Sequence, residues 1–104
     1  MQFDVYRNPS KTTSGLYPFV LDIQSNLLAE LPTRLVVPLR VLEPGSADTP
    51  PSLCPTLVVK GGKLSLVAYQ AAPLSKKLLK KPVASLAGHS HEIVAAIDSV
   101  ISGI

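Results

Sequence analysis

The side chains of this 104-residue chain that could do chemistry are few and scattered. His89 and His91 stand two apart and are followed by Glu92. On a helix, positions i and i+2 point in different directions, so this pair is poorly placed to chelate one ion. Structural zinc sites usually take four nitrogen or sulfur ligands, and the one cysteine, Cys54, is far away in sequence. The expectation is therefore no metal site, with both histidines solvated near a helix start. Cys54 and a histidine form a nucleophile pair on paper. However, Leu53 and Pro55 flank the cysteine, and no adjacent cation or glycine turn is there to lower the thiol pKa. A small buried apolar side chain is the better reading. Gly61-Gly62-Lys63 resembles a piece of a phosphate loop, but the upstream glycine is missing and a strand follows rather than a helix. Paired glycines supply the positive φ angles of a tight hairpin instead.

Three further features point to binding rather than catalysis. Lys76, Lys77, Lys80 and Lys81 concentrate the positive charge. Such a run either keeps a face solvated or docks an acidic segment or DNA phosphates. No aromatic residue is interleaved with it, which weakens a single-strand binding reading. Leu27-Leu28 lies in a short connection, and Ile101-Ser102-Gly103-Ile104 closes the sequence on small and apolar groups where polar ones are usual.

The elements that must position these residues are mostly strands. Hydrophobic residues make up 46% and charged residues 16%, too apolar a balance for disorder. Ten prolines disfavour a helical bundle. The length fits one domain, residues 1–104, whose marginal core a second subunit would help to cover. Met1 to Tyr6 alternates apolar and polar residues as a half-buried strand does. Leu16 to Gln24 and Arg34 to Leu42 read as strands, the second with a bend or bulge at Pro38, with Ser25 to Thr33 a loop or short helix between them. Glu43 to Ser52 is a loop. Thr56 to Val59 and Lys63 to Tyr69 pair through Gly61-Gly62. Ala71-Ala72-Pro73 is a break, and Leu74 to Lys81 fits a strand or a short helix. Ser90 can cap a last helix, Glu92 sits in its first turn, and Ile93, Ala96, Ile97, Val100 and Ile104 form one stripe ending near Gly103. No secretory signal or membrane-spanning run is visible and there is one cysteine, so the sequence reads as cytoplasmic. The net charge of +3 permits an acidic partner without requiring nucleic acid.

Taken together, these segments resemble the CcdB toxins. Met1-Gln2-Phe3 with Val5-Tyr6 is similar to the family's opening, and Asp22-Ile23-Gln24-Ser25 followed by Asn26, Leu27 and Leu28 to its central signature. Arg34 to Leu39, Leu53-Cys54-Pro55, and Ala95-Ala96-Ile97-Asp98 running to Gly103-Ile104 follow in order. The resemblance implies a mainly β fold: an SH3-like barrel of antiparallel strands with a small extra sheet and a C-terminal α-helix. It implies a homodimer with those helices near the two-fold axis. It also implies a toxin, not an enzyme and without cofactor, that binds the A subunit of DNA gyrase and traps gyrase on cleaved DNA. A CcdA-like antitoxin would remove it, and operator DNA would be bound only through the antitoxin complex. Carried over by position, the gyrase-binding residues are Asp98, Ile101, Ser102, Gly103 and Ile104, flanked by Ser25, Leu27 and Leu28. Ile101-Ser102 departs from the aromatic pair that precedes the family's final glycine and isoleucine, and so lacks the contact area that such rings supply. An acidic antitoxin tail is expected to meet Lys76, Lys77, Lys80 or Lys81.

The competing function is a ribonuclease toxin of the Kid or MazF type on the same fold. It needs acid–base groups gathered at one place. Asp22, Arg34 and the histidines are the candidates, and no constellation of them is visible. A third reading is a decayed module that still binds antitoxin.

Overall fold

The computed structural model describes residues 1–42 and 54–102. The expected loop from Glu43 to Ser52, and the positions of Leu53, Gly103 and Ile104, lie outside these residues.

The chain is mainly β, with a nearly closed, antiparallel, barrel-like sheet and one C-terminal helix. The strands are β1 (Asp4–Arg7), β2 (Phe19–Asp22), β3 (Thr33–Val41), β4 (Thr56–Val59), β5 (Gly62–Leu66), β6 (Ala72–Ser75) and β7 (Ala84–Ser85), and the helix is α1 (Ser90–Ser102). Along the sheet the order is β4-β5-β3-β2-β1-β7, with β6 also pairing with β3.

Alternation fixes which residues meet. Val5 lies beside Leu21, and Leu21 beside Val37, so one face of three adjacent strands is aliphatic. These residues join Leu39, Leu57, Leu64 and Leu66 in the main core, which Ile93 and Ala96 of α1 close. The opposite face is not left wet: Tyr6, Val20 and Val36 bury a second cluster under Leu79. That double covering explains why Val20, Leu21 and Asp22 are buried in succession.

Pro38 shows how one residue shapes the topology. Ile23 N–H donates to the Leu35 carbonyl at 3.0 Å, so alternate pairs along β2 and β3 are hydrogen-bonded and Val20–Pro38 is not. The side of Pro38 that lacks an N–H therefore faces away from β2. There the ladder is interrupted: β6 pairs with Thr33 to Val36 and β5 with Leu39 to Val41. Between them the chain makes a 3₁₀ turn at Ala68–Gln70, tied to Pro38 by a 3.1 Å bond from Val67 N–H to its carbonyl. The expected strand from Lys63 to Tyr69 accordingly stops at Leu66. The expected break at Ala71-Ala72-Pro73 is instead the start of β6, because the first half of β3 offers it a free edge.

Other departures are local. Leu74 to Lys81 is neither one strand nor one helix: β6 ends at Ser75, whose Oγ accepts the Lys77 N–H, and a 3₁₀ turn spans Lys76–Leu78. At the β4–β5 hairpin the positive φ angles fall on Lys60 (51°) and Gly61 (80°), while Gly62 is already in the strand opposite Val59. Two successive positive φ angles are the signature of a I′ turn, whose twist matches the strands. Ser90 has helical angles and is preceded by a 3₁₀ turn at Ala87–His89, so it is the first helical residue rather than a cap.

Candidate functional site

β2 delivers Asp22 to the protein interior, and β3 brings Arg34 alongside it. Arg34 is 5% exposed, and its Nε and Nη2 both donate to Asp22 Oδ2, at 2.9 and 2.6 Å. Asp22 Oδ1 accepts the Gln24 N–H at 3.0 Å. A carboxylate this deep is tolerable only because both oxygens are occupied and a counter-charge is in contact. The Met1 amino group lies 3.4 Å from Asp22 Oδ2 and 3.5 Å from the Tyr6 hydroxyl. Burial, reinforced by Asp4 and Asp22 and opposed by Arg34, raises the Tyr6 phenol above its ordinary pKa.

This network holds the connection between β2 and β3 in place. The Gln24 side chain accepts the Leu35 N–H at 3.0 Å and donates to the Leu28 carbonyl at 2.9 Å. Gln2 N–H donates to Asn26 Oδ1, and Gln2 Nε2 to the Ile23 carbonyl. Ser25 Oγ accepts the Leu27 N–H at the mouth of a 3₁₀ turn, Asn26–Leu28. The connection is therefore a pinned turn rather than a loose loop. Its tip is apolar and wet: Leu27 is 93% exposed and Leu28 50%. Water-exposed aliphatics on a fixed backbone bind a partner at low entropic cost, because little ordering remains to be done.

The second group of expected site residues sits on α1. Ile93 and Ala96 are buried, Ile97 is partly so, Val100 is 40% exposed and Ile101 is 79% exposed. The helix packs mainly on the 3₁₀ turns at Ala68–Gln70 and Ala87–His89, so its apolar stripe is used up toward its start and is open toward its end. Asp98 and Ser102 are exposed, and Ser102 Oγ donates back to the Asp98 carbonyl. Gly103 and Ile104 lie outside the described residues. Within one chain the Ser25–Leu28 and Asp98–Ser102 groups stand on separate elements.

All four lysines of the basic segment are exposed. Lys76 Nζ donates to the Ala29 carbonyl at 2.9 Å, which places this segment directly beside the Asn26–Leu28 turn. Met1, Tyr6, Asn26, Ala29, Arg34, Lys76, Leu79 and Lys80 line a pocket of about 550 Å³ there.

The remaining chemical candidates are dispersed. His89 Nδ1 lies 3.2 Å from Glu92 Oε1 on the surface, and His91 is exposed beside it. Cys54 is buried, and burial pushes its thiol pKa up, with hydrogen bonds to the Ala68 backbone and the Ser65 side chain pulling the other way. Sequence reasoning named Gln24, Asn26 and Tyr6 only as part of a family pattern and gave them no role of their own. The signal available for Gln24 was a polar residue directly after an apolar strand; its two backbone partners are visible only in three dimensions.

The fold is thus a barrel-like antiparallel sheet with exposed apolar and cationic side chains on and beside a pinned turn. The CcdB protein family model matches residues 2–103, and the chain belongs to the CcdB family, whose members are toxins of toxin–antitoxin systems. No curated protein matches the sequence. Among solved structures, an endoribonuclease in complex with its cognate antitoxin from Mycobacterial species is similar in fold. Its TM-score is 0.75 at 15% identity, and the match covers 98% of this chain and 94% of that one.

Proposed function

We propose that this toxin binds the A subunit of DNA gyrase and traps gyrase on cleaved DNA. The contact surface is Ser25, Leu27 and Leu28 on one side and Asp98, Ile101 and Ser102, continuing to Gly103 and Ile104, on the other. The supporting observation is the exposure of Leu27 on a turn anchored to a buried ion pair. The open aliphatic end of α1 points the same way. Such tips have no role in the monomer's own core and suit a partner's pocket. In this reading the toxin is a cytoplasmic homodimer whose C-terminal helices lie near the two-fold axis and leave the Asp98–Ser102 end free for gyrase. A CcdA-like antitoxin displaces it from gyrase, and the two together repress their operon.

The test is plasmid cleavage by purified gyrase. Wild-type protein is expected to leave linear plasmid after detergent and protease treatment. Leu27→Asp and Ile101→Asp should each reduce that product by more than about tenfold, the effect of losing a central apolar contact. Linear product from both variants equal to that of wild type sinks this surface.

A ribonuclease reading has the fold likeness to an endoribonuclease behind it. Its best candidates here are spent on each other: Asp22 and Arg34 form a buried pair. Cleavage of RNA by the same preparation, blocked by Arg34→Lys in a folded protein, would favour that reading over gyrase.

A further inference from the structure

The pocket beside the Asn26–Leu28 turn holds more hydrogen-bond donors than the fold uses. Arg34 and Tyr6 are both buried, and both line it. Arg34 gives Nε and Nη2 to Asp22 Oδ2, and its Nη1 has no acceptor among the described residues. No fully sealed side-chain nitrogen or oxygen there lacks a partner, so Nη1 opens onto the pocket. The Tyr6 hydroxyl accepts from the Met1 amine at 3.5 Å and donates to no described residue. The acceptors nearby are taken. Asn26 Oδ1 receives the Gln2 N–H, the Ala29 carbonyl receives Lys76 Nζ, and both Asp22 oxygens are occupied. Charge is unbalanced in the same sense. Arg34, Lys76 and Lys80 face one carboxylate, Asp22, while the Met1 amine is matched by Asp4 at 3.5 Å. Lys80 also borders a second hollow, of about 670 Å³, with Arg7, Lys81 and Val83 in its wall. No buried donor waits in that one: the Asn8 amide there is already spent on Thr13 and on the Tyr17 carbonyl.

We infer that the first pocket binds a small phosphate monoester of nucleotide size, its phosphate oxygens accepting from the Tyr6 hydroxyl, Arg34 Nη1 and Lys80 Nζ. A buried donor without an acceptor is costly, and a group bringing several acceptor oxygens removes that cost at two places together. The charges agree: a phosphate monoester carries close to two negative charges at neutral pH, and the pocket has two positive charges beyond what Asp22 cancels. A carboxylate brings one charge and fewer acceptor sites, and leaves part of this donor set unmet. The organic part of the ligand rests on Leu79 and Ala29, the apolar members of the lining, and the volume of about 550 Å³ is that of ordinary small-molecule sites. The site needs no protein partner and stands apart from the gyrase reading.

The test uses the full chain and adenosine 5′-monophosphate as the probe, titrated into 15N-labelled protein and followed by amide NMR shifts. Saturable binding with a Kd below about 1 mM is expected, with shifts at Asn26, Ala29 and Lys80 and none at Gly61 on the distant hairpin. Adenosine, which lacks the phosphate, and the cyclic 3′,5′-monophosphate, a diester with one charge, should each bind at least about tenfold more weakly. Tyr6→Phe keeps the ring and removes only the waiting donor; it should weaken binding by about tenfold, and Lys80→Gln by a similar factor. Lys63→Gln on the hairpin should change it by less than about twofold. The same spectra show that each variant is folded. No saturable shift up to about 10 mM probe overturns the inference. So do shifts spread evenly over the lysines, equal binding by adenosine or the cyclic diester, or undiminished affinity in folded Tyr6→Phe.

Discussion

Arg34 and Lys80 line the same pocket, and they illustrate two opposite uses of a positive charge. Arg34 is buried, makes two bonds to one carboxylate oxygen and carries part of the fold. Lys80 is exposed and makes no ion pair among the described residues. The leucines repeat the contrast: Leu21 is sealed in the core, while Leu27, a few residues later, is almost wholly in water. The difference teaches that in this small barrel the same residue types are spent on the fold or left open to a partner according to whether the fold buries them.

The sharpest way to break that contrast is to remove Arg34. Arg34→Met leaves Asp22 buried with its Oδ2 stripped of its main partner, and should lower unfolding free energy by about 3–5 kcal/mol in urea titration. Arg34→Met as stable as wild type would show that the Met1 amine alone satisfies the carboxylate. Next in size is the helix. Ile93→Ala empties a fully buried site and is expected to cost about 2–5 kcal/mol, whereas Ile101→Ala should stay within about 0.5 kcal/mol. Similar losses from both would mean that Ile101 is packed in solution and is not open to a partner such as gyrase.

Tyr6 gives a pH-dependent version. Its phenol titrates above the ordinary value of 10.0 in the folded chain because burial, Asp4 and Asp22 disfavour the anion. The folded protein therefore keeps this proton when the unfolded chain has begun to lose it. Its contribution is complete below the unfolded value and declines as pH rises through the higher folded value. Tyr6→Phe should flatten this part of the alkaline limb of a stability–pH curve, and an unchanged slope would remove Tyr6 as its source. The smallest effect is at the hairpin: Lys60→Asn, better suited to a φ of 51°, should stabilise by about 0.5–1 kcal/mol in the same titration, with gyrase trapping unaltered.

Much of the fold was legible because it rests on short-range rules. The tight turn near Gly61 and the apolar stripe from Ile93 each depend on residues close in sequence, whereas the expected strand from Met1 begins only at Asp4, after a turn that puts Phe3 at a φ of 71°, and β3 keeps its register with β2 through Pro38. The misjudged pieces share a cause. β6 begins at Ala72, in a stretch of poor strand formers, because β3 provides an edge there. Ser90 fails to cap because a 3₁₀ turn already leads into the helix. Of the candidate site, Leu27, Leu28, Ile101 and the lysines stood out as apolar or charged residues without an obvious home. That Asp22 and Arg34 satisfy each other, and that Gln24 fastens the turn, could not be read from their spacing.

The sequence by itself determined a proline-punctuated, strand-rich chain with one amphipathic helix at its end and a cationic run before it, since backbone sterics and side-chain period act locally. Only the tertiary structure decided that one arginine is spent inside while Lys80 divides two hollows, and that Leu27 is held out into water. Those outcomes depend on β2, β3 and the 76–81 segment converging from distant parts of the chain, where burial, rather than residue type, sets what a charge or a methyl group is worth.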